Sequence, residues 1–499
     1  MHINVSTNPS PGSCHSLVFP VAGTKHLQAL TTGFPQLFSD VAAYLTEDFK
    51  GDFHEIHQFY GAEIRIFLVG VGERPKFGDL LKAFRGFGIK CKHKMGQSLA
   101  VQLQLLPDTQ TDLSAWVEAA VNGLLLSTYQ LGKFKSDAPD IHPLRDSHGR
   151  LELIIAPGSE DRAQHAIQKA SAFADTQLEI FDLVNAPANH ITPQSLALWA
   201  QKSGSAHGYK VAVLDQATLT REGLHALLAV SQGSAVPPAL IVMEYKGNNT
   251  QGPVHALVGK GVTFDTGGLS IKPSANMHLM KSDMGGAAAV LGTLEVAAKL
   301  QLPIHLIGII PTTENCVDAH AFKPGDVIGS YSGKSIEVID TDAEGRLILA
   351  DGIAYALKNF NPDVLIDLAT LTGSAVRTFG YHAAALFSNN EDLAAQLNAS
   401  GEQTGERVWQ LPLWDVYKED IKSDIADVKN FSGKPVAGAI SAAKFLEFFT
   451  DNHPAWAHLD IAGVAFSETD YSPQKSASGF GIRLLVTYLQ EMSGQQKTT

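Results

Sequence analysis

A chain of 499 residues exceeds what one hydrophobic core usually organises, so two domains are the expectation. Its 44% apolar and 18% charged residues exclude wholesale disorder, and a formal net charge of -13 weighs against a protein built to wrap nucleic acid. Three scattered cysteines, Cys14, Cys91 and Cys316, form no CxxC pair, which argues against both a zinc knuckle and a disulfide framework.

The first residues, Met1 to Ser6, lack a basic region followed by an apolar one. No apolar run is long enough to span a bilayer; Pro303 to Ile310 is about strand length. The expectation is a soluble, cytoplasmic protein with no membrane partner. In the first third, short apolar runs such as Ile64–Val69 and Leu151–Ile155 read as strands. Leu113 to Leu131 has helical spacing, and the polar stretch Lys135–Arg150 reads as a surface loop. Ser159 to about Leu183 is helical in pattern and free of Gly and Pro, and a breaker cluster follows, Asn185 to Pro193. The predicted organisation is a smaller N-terminal α/β domain over 1–160, a linker helix over 161–184, and a larger C-terminal domain over 185–499. Within the latter, Val254–Val258, Ile304–Ile310, Ile336–Ile339, Val364–Leu368 and His458–Ile461 read as strands. Gly285–Leu300 and Leu347–Leu357 read as helices. The alternation predicts an α/β fold with a central mixed sheet flanked by helices.

Charged residues are sparse, yet several sit where strands end and Gly-rich turns begin, the usual ligand-binding edge of an open α/β sheet. Lys260 and Asp265 lie in Gly259–Gly268, Lys272 comes just after, and Asp283 opens the next helix. Asp342, Glu344 and Arg346 follow Ile336–Ile339, and Asp367 ends a further strand. Taken singly, each has an ordinary explanation: Asp283 as a helix cap, the lysines as solvated surface groups. Their order and spacing point further. If Asp265, Asp283, Asp342 and Glu344 converge, their charges repel and two divalent cations would cancel them. Oxygen ligation suits Mg²⁺ and Mn²⁺, with Zn²⁺ acceptable. Two ions about 3.5–4 Å apart activate water and polarise a carbonyl or phosphoryl oxygen. Other motifs fail. Gly329–Ser335 is one residue short of a phosphate-binding loop and runs into a strand, and neither HExxH nor GxSxG is present.

The segment Asp340-Thr341-Asp342-Ala343-Glu344-Gly345-Arg346-Leu347 closely resembles the NTDAEGRL motif of the leucyl aminopeptidases, two-metal exopeptidases of the cytosol. Lys260–Lys272, Met280–Ala288, Lys422–Asp427, His458–Gly463 and Gly479–Arg483 are similar to further blocks of that family in the same order, over about Asn185 to Leu485. The N-terminal part resembles the family only in position and in its α/β pattern. The resemblance implies metal ligands at Lys260, Asp265, Asp283, Asp342 and Glu344, with Asp265 and Glu344 touching both ions. It implies that Lys272 stays charged and stabilises an oxyanion, and that Arg346 holds a bicarbonate anion that shuttles a proton. It implies a side-chain pocket near Met280, Thr370, Gly373 and Ala462, suited to leucine or methionine. It further implies two divalent ions per subunit (Mn²⁺ or Zn²⁺, with Mg²⁺ or Co²⁺ also possible), short peptide substrates and a homohexamer. Asp340 departs from the family's usual Asn, which puts metal preference and pH dependence in question. Two alternatives accompany this reading. One is a two-metal hydrolase of another substrate class, such as a phosphoesterase. The other is a DNA-binding role beside catalysis, known among relatives, against which the acidic balance speaks.

Overall fold

A computed structural model of the chain describes residues 1–7, 14–61, 64–107, 111–137, 140–248 and 252–495. The chain divides into two compact units, Met1–Leu178 with Asp470–Pro473, and Glu179–Thr469 with Gln474–Thr499. The cut falls inside the long helix Glu160–Asn185.

The first unit is organised by a six-stranded sheet in the order His2–Ser6, Arg150–Ile154, Ser98–Gln102, Ser16–Val21, Arg65–Gly70, Ile56–Tyr60. All pairings are parallel except that of the edge strand Ile56–Tyr60. Strands such as Ser16–Val21 are apolar along their length because helices cover both faces. On one face the helices Phe77–Lys90 and Leu113–Leu126 join the core through Phe84, Phe87, Trp116 and Val121. The second helix starts where Asp112 caps the amide of Ala115.

The second unit is built on a nine-stranded mixed sheet. Its path runs Val408–Gln410, Ala384–Ser388, Trp456–Asp460, Val364–Ala369, Val254–Gly259, His305–Asn315, Ala239–Lys246, Lys210–Leu214, and Gly261–Asp265 pairs beside His305–Asn315. The four middle strands, Trp456–Asp460 through His305–Asn315, are mutually parallel. Their carboxyl ends therefore point to one edge. The apolar runs Val254–Val258, Ile304–Ile310, Val364–Leu368 and His458–Ile461 lie here, together with the helices Gly285–Lys299 and Glu344–Phe360. Both helices are Ala- and Leu-rich and largely buried, because sheet and neighbouring helices enclose them.

Two local expectations change. The glycine-rich stretch after Val258 is not one turn: Gly261–Asp265 forms a strand of its own, so Asp265 is a strand terminus. Ile336–Ile339 shortens to Ile336–Glu337 and belongs to a separate three-stranded sheet with Val327–Ile328 and Val428–Lys429. Among the described residues no helix is long and apolar enough to cross a membrane.

Candidate metal centre

Four strands of the large sheet deliver polar groups to the same edge. Lys260 directly follows Val254–Gly259, Asp265 ends Gly261–Asp265, Asn315 ends His305–Asn315, and Thr370 follows Val364–Ala369. Asp283 arrives differently from its sequence reading. It closes the short 3₁₀ turn Met277–Ser282 and lies two residues ahead of the helix Gly285–Lys299. Glu344 is the first residue of its helix, where the positive end of the helix dipole favours a carboxylate.

The side chains converge. Lys260 Nζ lies 2.7 Å from Asp283 Oδ2 and 2.7 Å from Glu344 Oε1. Lys272 Nζ lies 2.7 Å from Asp265 Oδ2 and also contacts Asp342 Oδ1. Asp265, Asp342 and Glu344 each present an oxygen, and these atoms lie within 4.8 Å of one another. Lys260, Asp265, Asp283, Glu344 and Arg346 are all buried. Close approach demands glycine at two points. A Cβ on Gly345 would stand 2.5 Å from Lys260 Cε. Gly267, at φ +88°, turns the chain so tightly that a Cβ there would meet Asp342 Oδ1 at 2.8 Å.

Burial and mutual repulsion dominate the electrostatics. Burial pushes the Asp283 carboxyl well above its usual range, and Glu344 and Asp265 add to the rise against the pull of Lys260. Asp265 moves the same way, from burial and from Glu344. Asp342 is pushed up to about 7, by burial first and then by Asp265 and Glu344. Burial also acts to raise Glu344, but the ammoniums of Lys260 and Lys272 outweigh it and hold that carboxyl below its usual value. Burial opposes the charge on Lys260; the surrounding carboxylates overcome it and raise its pKa. Asp265, Asp283 and Glu344 therefore form a buried acidic cluster held together by two ammoniums.

The donor set fits divalent cations. Asp283 Oδ2 and Glu344 Oε1 are buried and accept no hydrogen bond of proper geometry, although an ammonium stands close to both. Such orphaned carboxylate oxygens are costly unless a cation satisfies them. Arg346 is separately notable. Its Nη1 donates to the carbonyl of Asn430 at 2.8 Å, while its buried Nε has no partner. Burial lowers its pKa to about 10, with Glu344 and Asp460 acting the other way.

The sequence did not reveal the supporting contacts that hold this centre in place, although Thr370 and Asp460 lie in stretches it had singled out. Asn315 Nδ2 donates to Asp265 Oδ1 at 2.8 Å and to the Thr341 carbonyl at 3.1 Å. Asn430 brackets the loop before Glu344: its Oδ1 accepts from Ile339 N, and its Nδ2 donates to the Asp340 carbonyl at 2.6 Å. Thr370 Oγ1 donates to Asp283 Oδ1 at 2.7 Å, and its carbonyl accepts from Lys260 Nζ at 3.2 Å. Asp460 accepts from Leu371 N, Thr372 Oγ1 and Ala462 N, joining two turns. Neutral amides and hydroxyls carry no charge pattern, so spacing could not single them out. Asp340 caps its own turn, its Oδ1 accepting from Asp342 N at 2.8 Å. Asp367 stays out of the site: it is buried within its strand against His458 Nδ1 at 2.6 Å and Trp456 Nε1 at 2.8 Å.

Beside the cluster lies a cavity of about 290 Å³. Lys260, Asp265, Lys272, Asp283 and Asp342 line it together with Met280, Thr370, Gly373 and Ala462. A larger cavity of about 640 Å³ lies elsewhere, and the charges around it, such as Lys444 with Glu447, pair with one another.

Carboxylates, two lysines and a buried guanidinium with an unpartnered Nε, gathered at the carboxyl edge of a parallel sheet beside a small cavity, define a metal-dependent hydrolase. The comparisons with known proteins narrow the class. The catalytic-domain model of the cytosol aminopeptidase family matches residues 180–486, and that family's N-terminal-domain model matches residues 41–138. A protein from Chlorobium phaeobacteroides named "Probable cytosol aminopeptidase" is 42% identical over 91% of this chain and 92% of its own length. One of the same name from Syntrophotalea carbinolica is 47% identical over 77% of this chain and 76% of its own. Among solved structures, the bottromycin maturation enzyme BotP in complex with Mn superposes with a TM-score of 0.81 at 30% identity, over 96% of this chain and 100% of that one. The chain belongs to the cytosol aminopeptidase family and is an aminopeptidase. The N-terminal match extends the kinship to a region that the sequence had linked to the family by pattern alone.

Proposed function

We propose that the chain removes N-terminal residues, leucine and similar apolar ones by preference, from short peptides. One observation carries this reading. Lys260, Asp265, Lys272, Asp283 and Asp342 line one cavity, Glu344 joins them 2.7 Å from Lys260 Nζ, and Arg346 is buried two residues along the same helix. Lys260, Asp265, Asp283, Asp342 and Glu344 hold two divalent ions, Mn²⁺ or Zn²⁺, and Lys260 binds as the neutral amine once the carboxylate charge that raises its pKa is neutralised. When bound, the ions supply the Lewis acidity that activates water and polarises the scissile carbonyl.

The chain's own groups do the rest. The free α-amine would enter at the end of the cavity where the carboxylate cluster holds the ions and would bind there as a neutral ligand, which confines cleavage to the N-terminal residue. Lys272 keeps its proton among Asp265 and Asp342 and supports the charge that develops on the carbonyl oxygen. Arg346, with an unpartnered Nε, holds a small oxyanion of the bicarbonate type, which serves as a proton acceptor. Met280, Thr370, Gly373 and Ala462 receive the side chain of the departing residue. The catalytic part is residues 185–499, with 161–184 linking it to the N-terminal domain, and the assembly is a cytoplasmic homohexamer.

Hydrolysis of leucine p-nitroanilide in the presence of Mn²⁺, set against p-nitrophenyl phosphate, tests the reading. Turnover of the anilide alone is expected. Turnover of the phosphate ester alone would overturn it.

A further inference from the structure

The cavity beside the acid cluster has a positive group that the chemistry above does not use. Lys475, in the strand Ser472–Ala477, and Tyr381, just after the helix Gly373–Phe379, both line it, together with Val376 and Phe466. Lys475 is half-buried; its Nζ donates to Tyr381 Oη at 2.5 Å and lies 4.2 Å from the centroid of that ring. The other two lysines of the cavity each sit between two carboxylates. Lys475 has none: among the described residues it makes no ion pair, and the tyrosine is its one polar partner.

An ammonium has three protons to donate, and one of them goes to Tyr381. Because the Tyr381 oxygen accepts that bond, its own O–H proton is left to donate. The cavity wall therefore presents an N–H and an O–H donor side by side, which matches the two oxygens of a carboxylate. Stacking over the ring holds the ammonium without neutralising it. The cavity thus has two poles. One is the carboxylate cluster, proposed to hold the ions that would take a peptide's amine, and the other is an ammonium without an acid. Its volume, near the lower bound for ligand sites, suits a short peptide.

We propose that Lys475, held by Tyr381, binds a carboxylate of the peptide substrate and sets specificity for substrates that carry one there. This rests on the aminopeptidase reading. The carboxylate has two sources, the free C-terminus of a di- or tripeptide or the side chain of an acidic N-terminal residue. Two substrate pairs separate them: Leu-Gly against Leu-Gly-amide, and glutamyl against glutaminyl p-nitroanilide.

For each pair the ratio of kcat/KM is measured in the wild type, Lys475→Met and Lys475→Arg. Ratios within one preparation do not depend on the fraction of folded enzyme. In Lys475→Met the acid-to-neutral ratio of one pair falls by about ten-fold, mostly through KM, as expected for a lost charge-assisted hydrogen bond. Lys475→Arg keeps most of that ratio. A fall in the first pair identifies the C-terminus as the source, and a fall in the second identifies the side chain. Both ratios unchanged in Lys475→Met would overturn the proposal while leaving the peptidase reading intact. Cleavage of none of the four substrates by the wild type would overturn that reading and this proposal with it.

Discussion

The six-stranded and nine-stranded sheets obey the same construction rule and end up with different contents. Both have parallel strands at their centre, both are covered by helices, and both fill their cores with Val, Ile, Leu and Phe. In the first unit the one carboxylate among the buried side chains of the described residues is Glu118, which pairs with Lys169 at 3.2 Å. In the second, Lys260, Asp265, Asp283, Glu344, Arg346 and Asp460 are all buried, gathered near the carboxyl ends of parallel strands. Burying a charge is expensive, and a cluster of like charges more so. A sheet carries that cost at one edge when the edge has work to do, and an α/β fold alone does not require it.

If the buried charge is what distinguishes the second unit, changes there should remove activity, and changes in the first should remove only stability. Glu344→Gln should have the largest effect, a loss of about 10³-fold or more in kcat, because it removes a carboxylate that would hold the proposed ions. Turnover of leucine p-nitroanilide with Mn²⁺, beside an unchanged circular dichroism spectrum, checks this. Lys272→Ala should follow, with a loss of about 10²–10³-fold in kcat, the usual cost of removing one donor to a developing oxyanion. The same assay reads it, with KM moving much less than kcat.

The next effect is on stability. Burial lowers the pKa of His255, within the strand Val254–Gly259, to about 4, against about 6.5 in an unfolded chain. Below pH 6.5 the unfolded state takes up a proton that the folded state refuses. His255 therefore costs nothing at neutral pH, and its penalty grows as pH falls from about 6.5 to about 4, approaching roughly 3 kcal/mol. Thermal melts across that range should show a shallower loss of Tm in His255→Phe than in the wild type. An identical pH dependence would contradict the assignment. The smallest effect belongs to the first unit. A Cβ on Gly123 would stand 2.8 Å from the Leu81 carbonyl and 2.9 Å from Phe84 Cβ, on the facing helix. Gly123→Ala should cost about 1–3 kcal/mol in denaturant melts and leave kcat/KM per folded molecule unchanged. A large loss of kcat/KM there would break the division of labour between the two sheets.

Much of this was legible in the residues. Val254–Val258, Gly285–Leu300 and Val364–Leu368 became elements within a residue or two of their expected ends, because continuous apolar runs and an Ala-rich stretch leave few alternatives. The acidic and basic residues of the centre were legible because charge is scarce in this chain and marks strand ends. The strand Gly261–Asp265 was not, since all five of its residues lie within the glycine-rich string Gly259–Gly268 that reads as a turn, and its pairing partner lies some fifty positions onward. Asn315 and Asn430, and the hydrogen bonds by which Thr370 holds Asp283 and Lys260, were invisible for a similar reason. Their importance is a matter of tertiary hydrogen bonding, which leaves no period and no charge in the sequence. Lys475 lies outside every motif read from the sequence, and only the fold sets it on the cavity wall.

The central claim is that the cluster around Glu344 exists to hold two divalent ions. Titration of metal-stripped protein with MnCl₂ by calorimetry, followed by elemental analysis after dialysis, tests it most directly. Two equivalents per chain in the wild type, with activity restored as the second binds, and fewer than two in Glu344→Gln is the predicted result. No saturable binding by the wild type, or full binding and full activity in Glu344→Gln, would contradict it.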